Sequence, residues 1–142
     1  MIPKLKAITN SNYYLVRIGN GERISDIIKN NLVAIGWSEV DFSSFSDMDA
    51  LKKAVTKKYY SQRDIKPQVL GRKLSQIEKF YTIEKGAVIL VPYGKQIVLA
   101  RSKGNIIYNQ TDKGYDLANQ LEVEYLKKSD GELKSFSRDI LS

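Results

Sequence analysis

The segment running from Glu84 to Asn109, EKGAVILVPYGKQIVLARSKGNIIYN, constrains the fold more than any other part of the chain. Its apolar residues fall in three short runs, rich in the β-branched types that suit a pleated, half-buried surface. The runs are punctuated by turn chemistry at Gly86, at Pro92-Tyr93-Gly94 and at Lys103-Gly104. A meander of adjacent antiparallel strands is expected here. LEVEYLKK (121–128) alternates and adds a last long strand, and SDGELKSFSRDILS reads as a turn followed by a short amphipathic tail.

The first half of the chain mixes helix with strand. YYLVRI (13–18) reads as a strand stopped by Gly19-Asn20-Gly21. Ile24, Ile27 and Ile28 then share one helical face up to Asn30-Asn31, and LVAIGW (32–37) is a second strand. After the loop SEVDFSSF, the capping-box pattern Ser46-Asp47-Met48-Asp49 opens a helix with a Met48, Leu51, Val55, Tyr59 stripe. SQRDIKP breaks it. Leu70, Leu74, Ile77 and Tyr81 predict a further helix to about Ile83. With 142 residues the chain is the size of one domain, and residues 1–142 are expected to form a single unit, the N-terminal part of a larger protein being one option. The expected class is α+β, most economically a small, partly closed antiparallel β-barrel flanked by helices.

Composition removes several chemistries. The chain has no cysteine and no histidine, so disulfides, thiolate nucleophiles and the usual general base and transition-metal ligand are missing. The start, MIPKLKAITNSNYY, lacks the apolar core and cleavage site of a secretory signal, and no run is long enough to cross a bilayer; a soluble, cytoplasmic protein is expected. The net charge of +7 is local. Residues 51–85 hold ten basic side chains (Lys52, Lys53, Lys57, Lys58, Arg63, Lys66, Arg72, Lys73, Lys79 and Lys85) against three acidic ones, while both flanks are nearly neutral. A concentrated positive field attracts polyanions, because neutralised phosphates release counterions; a solvated lysine-rich helix face gives the same composition.

Catalytic constellations are hard to assemble. A nuclease-type metal site needs clustered carboxylates, and the only plausible later acid-x-Lys triplet is Glu132-Leu133-Lys134, with Asp116 or Asp130 as upstream partners. Asp130-Gly131 reads as a turn, which puts Glu132 at a loop edge. Glu122 and Glu124 share one face of the last strand, the pattern of a solvated side. Gly19-Asn20-Gly21 before a helix lacks the remainder of either nucleotide-binding fingerprint. No catalytic residue, metal ligand or cofactor site is expected.

YYLVRIGNGERISDIIKNNLVAIGWSEVD resembles the opening of the domain that precedes the nuclease in bacterial restriction-system (Mrr-like) proteins, in which a Val-Arg strand, a helix and an Ile-Gly-Trp strand follow one another. The resemblance continues through EKGAVILVPYG and ends in VEYLKKSDGELKSFSRDIL, so it covers almost the whole chain. More distantly, the layout is similar to the PUA-like superfamily that includes EVE and YTH domains. The resemblance implies a barrel-side pocket for a flipped, often modified base. Trp37, followed by Ser38, is the candidate stacking platform, since extruded bases recover their unstacking cost against aromatic rings; core packing is the competing use of the same indole. Tyr93 matches the position of a pocket-facing aromatic in EVE relatives, and a hairpin-tip aromatic is the alternative. Arg17 and Gly71-Arg72, taken to open the long helix, are candidates for phosphate or base-edge contact, for which guanidinium geometry is suited; salt bridges compete. Lys73, Gln76 and Lys79 share one side of that helix and suit backbone contact, with solubilising charge as the alternative. Relatives carry an Asn-Trp pair just before this helix where the present chain has Val69-Leu70, so the implied pocket is smaller, differently lined or absent.

Together these features predict a non-catalytic DNA-binding module of a bacterial restriction or antiviral defence system. It is expected to bind modified duplex DNA, with RNA as a variant, and to work with a nuclease or motor in the same protein or a partner chain. Two other classes stay open: a metal-dependent nuclease using the C-terminal carboxylates, and an adaptor whose aromatic hollow takes a peptide or small nucleotide.

Overall fold

The computed structural model describes residues 13–62 and 64–141, without the side chains of 140 and 141. In chain order the elements are β1 (Tyr13–Leu15), α1 (Ile24–Lys29), β2 (Leu32–Ile35), α2 (Met48–Val55), α3 (Pro67–Tyr81), β3 (Val88–Tyr93), β4 (Gln96–Tyr108), β5 (Asn119–Tyr125) and β6 (Ser135–Ser137). A 3₁₀ turn occupies Phe42–Ser44, another Gln110–Tyr115 and a third Arg138–Leu141, while a π-helical turn, Thr56–Tyr60, extends α2.

The class is α+β, with one six-stranded sheet ordered β1-β3-β4-β5-β2 and β6 paired to β4. Two features depart from the expected antiparallel, partly closed barrel. β1 runs parallel to β3, with Tyr13 opposite Val88 and Leu15 opposite Leu90; the helical segments between them supply the long crossover that parallel pairing needs. The sheet is also open, β1 and β2 forming its two edges among the described residues. The run expected as a third meander strand is the second half of β4. Lys103-Gly104 does not end the strand but forms a bulge: the register against β5 shifts between Ser102 and Ile106, Gly104 takes φ +81°, and its N–H donates to Ser102 Oγ at 2.9 Å. An extra residue in one strand sharpens its bend instead of ending it. The tail, expected to be amphipathic, contributes β6, which pairs with Gln96, Ile97 and Val98.

Asp47, not Ser46, caps α2, its carboxylate accepting from the N–H of Asp49 and Ala50, the arrangement that satisfies free amides in a first turn. Helix α3 starts four residues before Gly71, with Lys66 as N-cap and Pro67 in the first turn. Gly71 therefore lies beyond the free amides of the helix start, which corrects its expected place at the opening of the helix. The main core lies between the helices and one face of the sheet, where Phe42 meets Phe80 edge-on at 6.4 Å between ring centres. On the other face Leu90, Ile97 and Leu99 form a small cluster with Phe136 of β6 packed on it.

Candidate functional site: an aromatic cleft between the sheet edges

Both edge strands line one cleft of about 870 Å³. Tyr13 to Arg17 come from β1 and its continuation, Ile35 to Trp37 from the end of β2, Gln76, Lys79, Phe80 and Ile83 from α3 and its exit, and Tyr115 to Leu117 from the loop before β5. Residues from both sheet edges and from α3 thus line the same space. The volume is within the range of small-molecule sites. Tyr13, Leu15 and Tyr115, the large hydrophobic residues left exposed among those described, are 39%, 43% and 43% accessible and all three line this cleft. Exposed apolar groups gathered at one mouth mark an interaction surface, which scattered ones do not.

Trp37 owes its position to three constraints. Its backbone is left-handed, φ +56°, a conformation that costs a non-glycine residue of order 1 kcal/mol or more. Its indole N–H donates to the hydroxyl of Tyr60 at 2.9 Å, and the half-buried ring packs against the main core. Both Tyr59 and Tyr60 turn toward this loop: the Tyr59 hydroxyl accepts from the N–H of Glu39 at 2.9 Å. Successive residues of a regular helix project about 100° apart, and the π turn Thr56–Tyr60 is the local irregularity in which both rings reach one loop. Burial pushes the Tyr59 phenol above its usual range despite that bond.

Ser38 is buried and does not line the cleft. Its N–H donates to Asp116 Oδ1 and its Oγ accepts from the N–H of Ala118, both at 2.9 Å. Its carbonyl accepts from the Tyr108 hydroxyl. Buried, with its N–H, Oγ and carbonyl each bonded to a neighbouring segment, Ser38 anchors the loop under Trp37. Asn119 anchors the same loop, donating to the carbonyls of Gly36, Trp37 and Val40.

The loop with Tyr115 and Asp116 is fixed by a buried carboxylate. Asp112 accepts from Arg23 Nε at 2.8 Å, from Gln120 Nε2 at 2.7 Å and from Asn109 Nδ2 at 3.2 Å. Arg23 also lies 5.3 Å from the centre of the Tyr115 ring, and the bond to Asp112 strengthens its hold on its proton. Lys113 pairs with Glu39 at 3.1 Å, tying this loop to that of Trp37 and raising the lysine pKa.

Of the residues singled out from the sequence, Trp37, Arg17, Gln76 and Lys79 meet in the cleft. Tyr93 does not: it ends β3, half-buried against the main core, and its ring serves packing. Arg72 and Lys73 lie outside the cleft on α3, one turn before Gln76 and so on its side of the helix. Val69 and Leu70 are within α3, not ahead of it. The other cations of residues 51–85 are spread over α2, the π turn and both ends of α3, and Lys52 pairs with Glu78; Arg63 lies outside the described residues. They do not gather at the cleft mouth. Asp130 receives the N–H of Glu132 in a turn, and no group of three metal-ligating side chains occurs among the described residues. Sequence reasoning missed Tyr13, Tyr14, Phe80 and Tyr115, and considered Asp116 only as a partner in a metal site, whereas it lines the cleft.

Residues 13–138 match the model of a family described as "Domain of unknown function (DUF8426)". No curated protein matches the chain.

Proposed function

The chain belongs to the DUF8426 family, and we propose that it is a non-catalytic nucleic-acid-binding module that receives a flipped, modified base in the cleft between its sheet edges. The observation that carries this is the joint lining of one nucleotide-sized space by Trp37, Tyr13, Tyr14, Tyr115 and Phe80 together with Arg17 and Lys79. Rings offer a base a sequence-tolerant stacking surface worth about 1–3 kcal/mol each, comparable with the few kcal/mol needed to extrude a base. The two cations supply donors for the flanking phosphates, and Arg72 and Lys73 continue that line along α3. An open sheet whose two edges line one cleft is the partly closed barrel of a PUA-like domain in this interpretation. The biological setting is a bacterial restriction or defence system acting on modified DNA, with cutting done by a nuclease or motor elsewhere in the same protein or in a partner.

Gel-shift titration of plain and base-modified duplexes across a salt series tests the proposal. Binding that favours one modified duplex and weakens steeply with salt is expected, because phosphate contacts are salt-dependent. Equal, negligible and salt-insensitive binding to all duplexes rejects it. The apolar mouth of Tyr13, Leu15 and Tyr115 favours a second interpretation, an adaptor that takes a peptide, and peptide binding that persists in high salt is its signature.

A further inference from the structure

We propose that Asp116 is the specificity-determining residue of the cleft: its carboxylate accepts a hydrogen bond from an exocyclic amino group, so the ligand class is an amino-bearing base, cytosine, adenine or guanine, modified elsewhere or singly alkylated on that nitrogen. The inference rests on the base-binding function proposed above. Asp116 lines the cleft in a left-handed conformation, φ +56°, which aspartate and asparagine tolerate better than most residues. One oxygen, Oδ1, is committed to the N–H of Ser38. The other lies over Gly36, where a Cβ would stand only 2.7 Å from Oδ2; the missing side chain of Gly36 makes that approach open.

Oδ2 therefore lies beside the backbone from which the indole of Trp37 springs, and it has no donor and no ion-pair partner among the described residues. An ionised carboxylate can only accept. A negative charge on the wall of a cleft for a polyanion works against phosphate binding, so its use lies in ligand groups that donate. With one oxygen already occupied, a single N–H suffices to complete the pairing. Thymine and uracil present a carbonyl where cytosine presents its amino group, and two acceptors repel each other.

The test uses DNA duplexes carrying one target nucleotide opposite an abasic site, so that no base pair has to be broken: cytosine, 5-methylcytosine, adenine, N6-methyladenine or thymine. Affinities are read by fluorescence anisotropy on the full chain. Thymine is expected to bind about tenfold or more weakly than the best amino-bearing base. In Asp116→Asn the amide keeps an acceptor for Ser38 and turns a donor toward the ligand, so the ratio should fall to unity or invert. Equal affinities for thymine and the amino-bearing bases, or a ratio unchanged in Asp116→Asn, overturn the assignment while leaving the base-binding function standing. Absence of binding by every duplex overturns both.

Discussion

Removing the Tyr60 hydroxyl separates a tryptophan that merely packs from one that is aimed. Tyr60 is buried, 7% accessible, and its hydroxyl receives the indole N–H of Trp37 at 2.9 Å. Tyr60→Phe deletes that acceptor without changing the ring. A neutral hydrogen bond contributes about 1 kcal/mol net, and a fully buried orphan donor costs up to about 3 kcal/mol. Because Trp37 is only half-buried, its N–H recovers water, and the loss is expected near the lower figure, about 1 kcal/mol. Trp37→Phe removes the donor instead, so Tyr60→Phe made on top of it has no bond left to break. The double-mutant cycle should give a coupling of about 1 kcal/mol, measured by urea unfolding followed by circular dichroism, since two of the four proteins lack the single tryptophan. An untethered indole must also be ordered when a ligand stacks on it, at roughly 0.5–1.5 kcal/mol, so Tyr60→Phe should raise the Kd for the preferred duplex about two- to tenfold. A coupling within about 0.3 kcal/mol of zero, with an unchanged Kd, refutes the claim that this bond orients the platform.

Three further outcomes follow from the same geometry. At Trp37, with φ +56°, glycine should be tolerated better than alanine, Trp37→Gly exceeding Trp37→Ala in unfolding free energy by about 1 kcal/mol; the reverse order would mean that the loop relaxes out of the left-handed conformation. The buried Tyr125 hydroxyl donates to the Leu32 carbonyl at 2.7 Å, and burial pushes its pKa well above the usual phenol range. A raised folded-state pKa means stability that is whole below the unfolded value of about 10 and is lost as pH rises beyond it; urea midpoints should fall above about pH 10, less so in Tyr125→Phe. Replacing Arg17 and Lys79 together by glutamine should flatten the salt dependence of duplex binding by about two in the log–log slope if each meets a phosphate, and an unchanged slope would place the phosphates elsewhere.

The parts of the fold legible in the sequence are those where periodicity and burial coincide. Ile24, Ile27 and Ile28 mark α1 because two of the three are buried on one face, and the apolar runs of β3 and β4 are covered along most of their length. Glycine chemistry was ambiguous: Gly94 closes the hairpin between β3 and β4, yet Gly104 bends a strand that continues. Local pattern cannot separate these, because a turn and a bulge both use a residue at positive φ. The parallel pairing of β1 was equally invisible, being set by a partner more than seventy residues away. In the site, Trp37 and Arg17 stood out as residue types, and Gln76 and Lys79 by helical spacing. Tyr115 and Asp116 did not stand out as cleft residues, since the 110–116 segment has no period and is held at the cleft by partners distant in sequence, Arg23 for Asp112, Glu39 for Lys113 and Ser38 for Asp116. The adjacent Tyr59-Tyr60 pair was an available signal, since one helical stripe cannot carry both rings toward the same loop.

Emission from the single tryptophan during duplex titration tests the central claim most directly, because Trp37 reports from the cleft itself. If an extruded base stacks on the indole, quenching should saturate with the same Kd as the anisotropy of the labelled duplex and should vanish when the target nucleotide is abasic. Tight binding by anisotropy with tryptophan emission unchanged would contradict it, since the nucleic acid would then be held without entering the cleft.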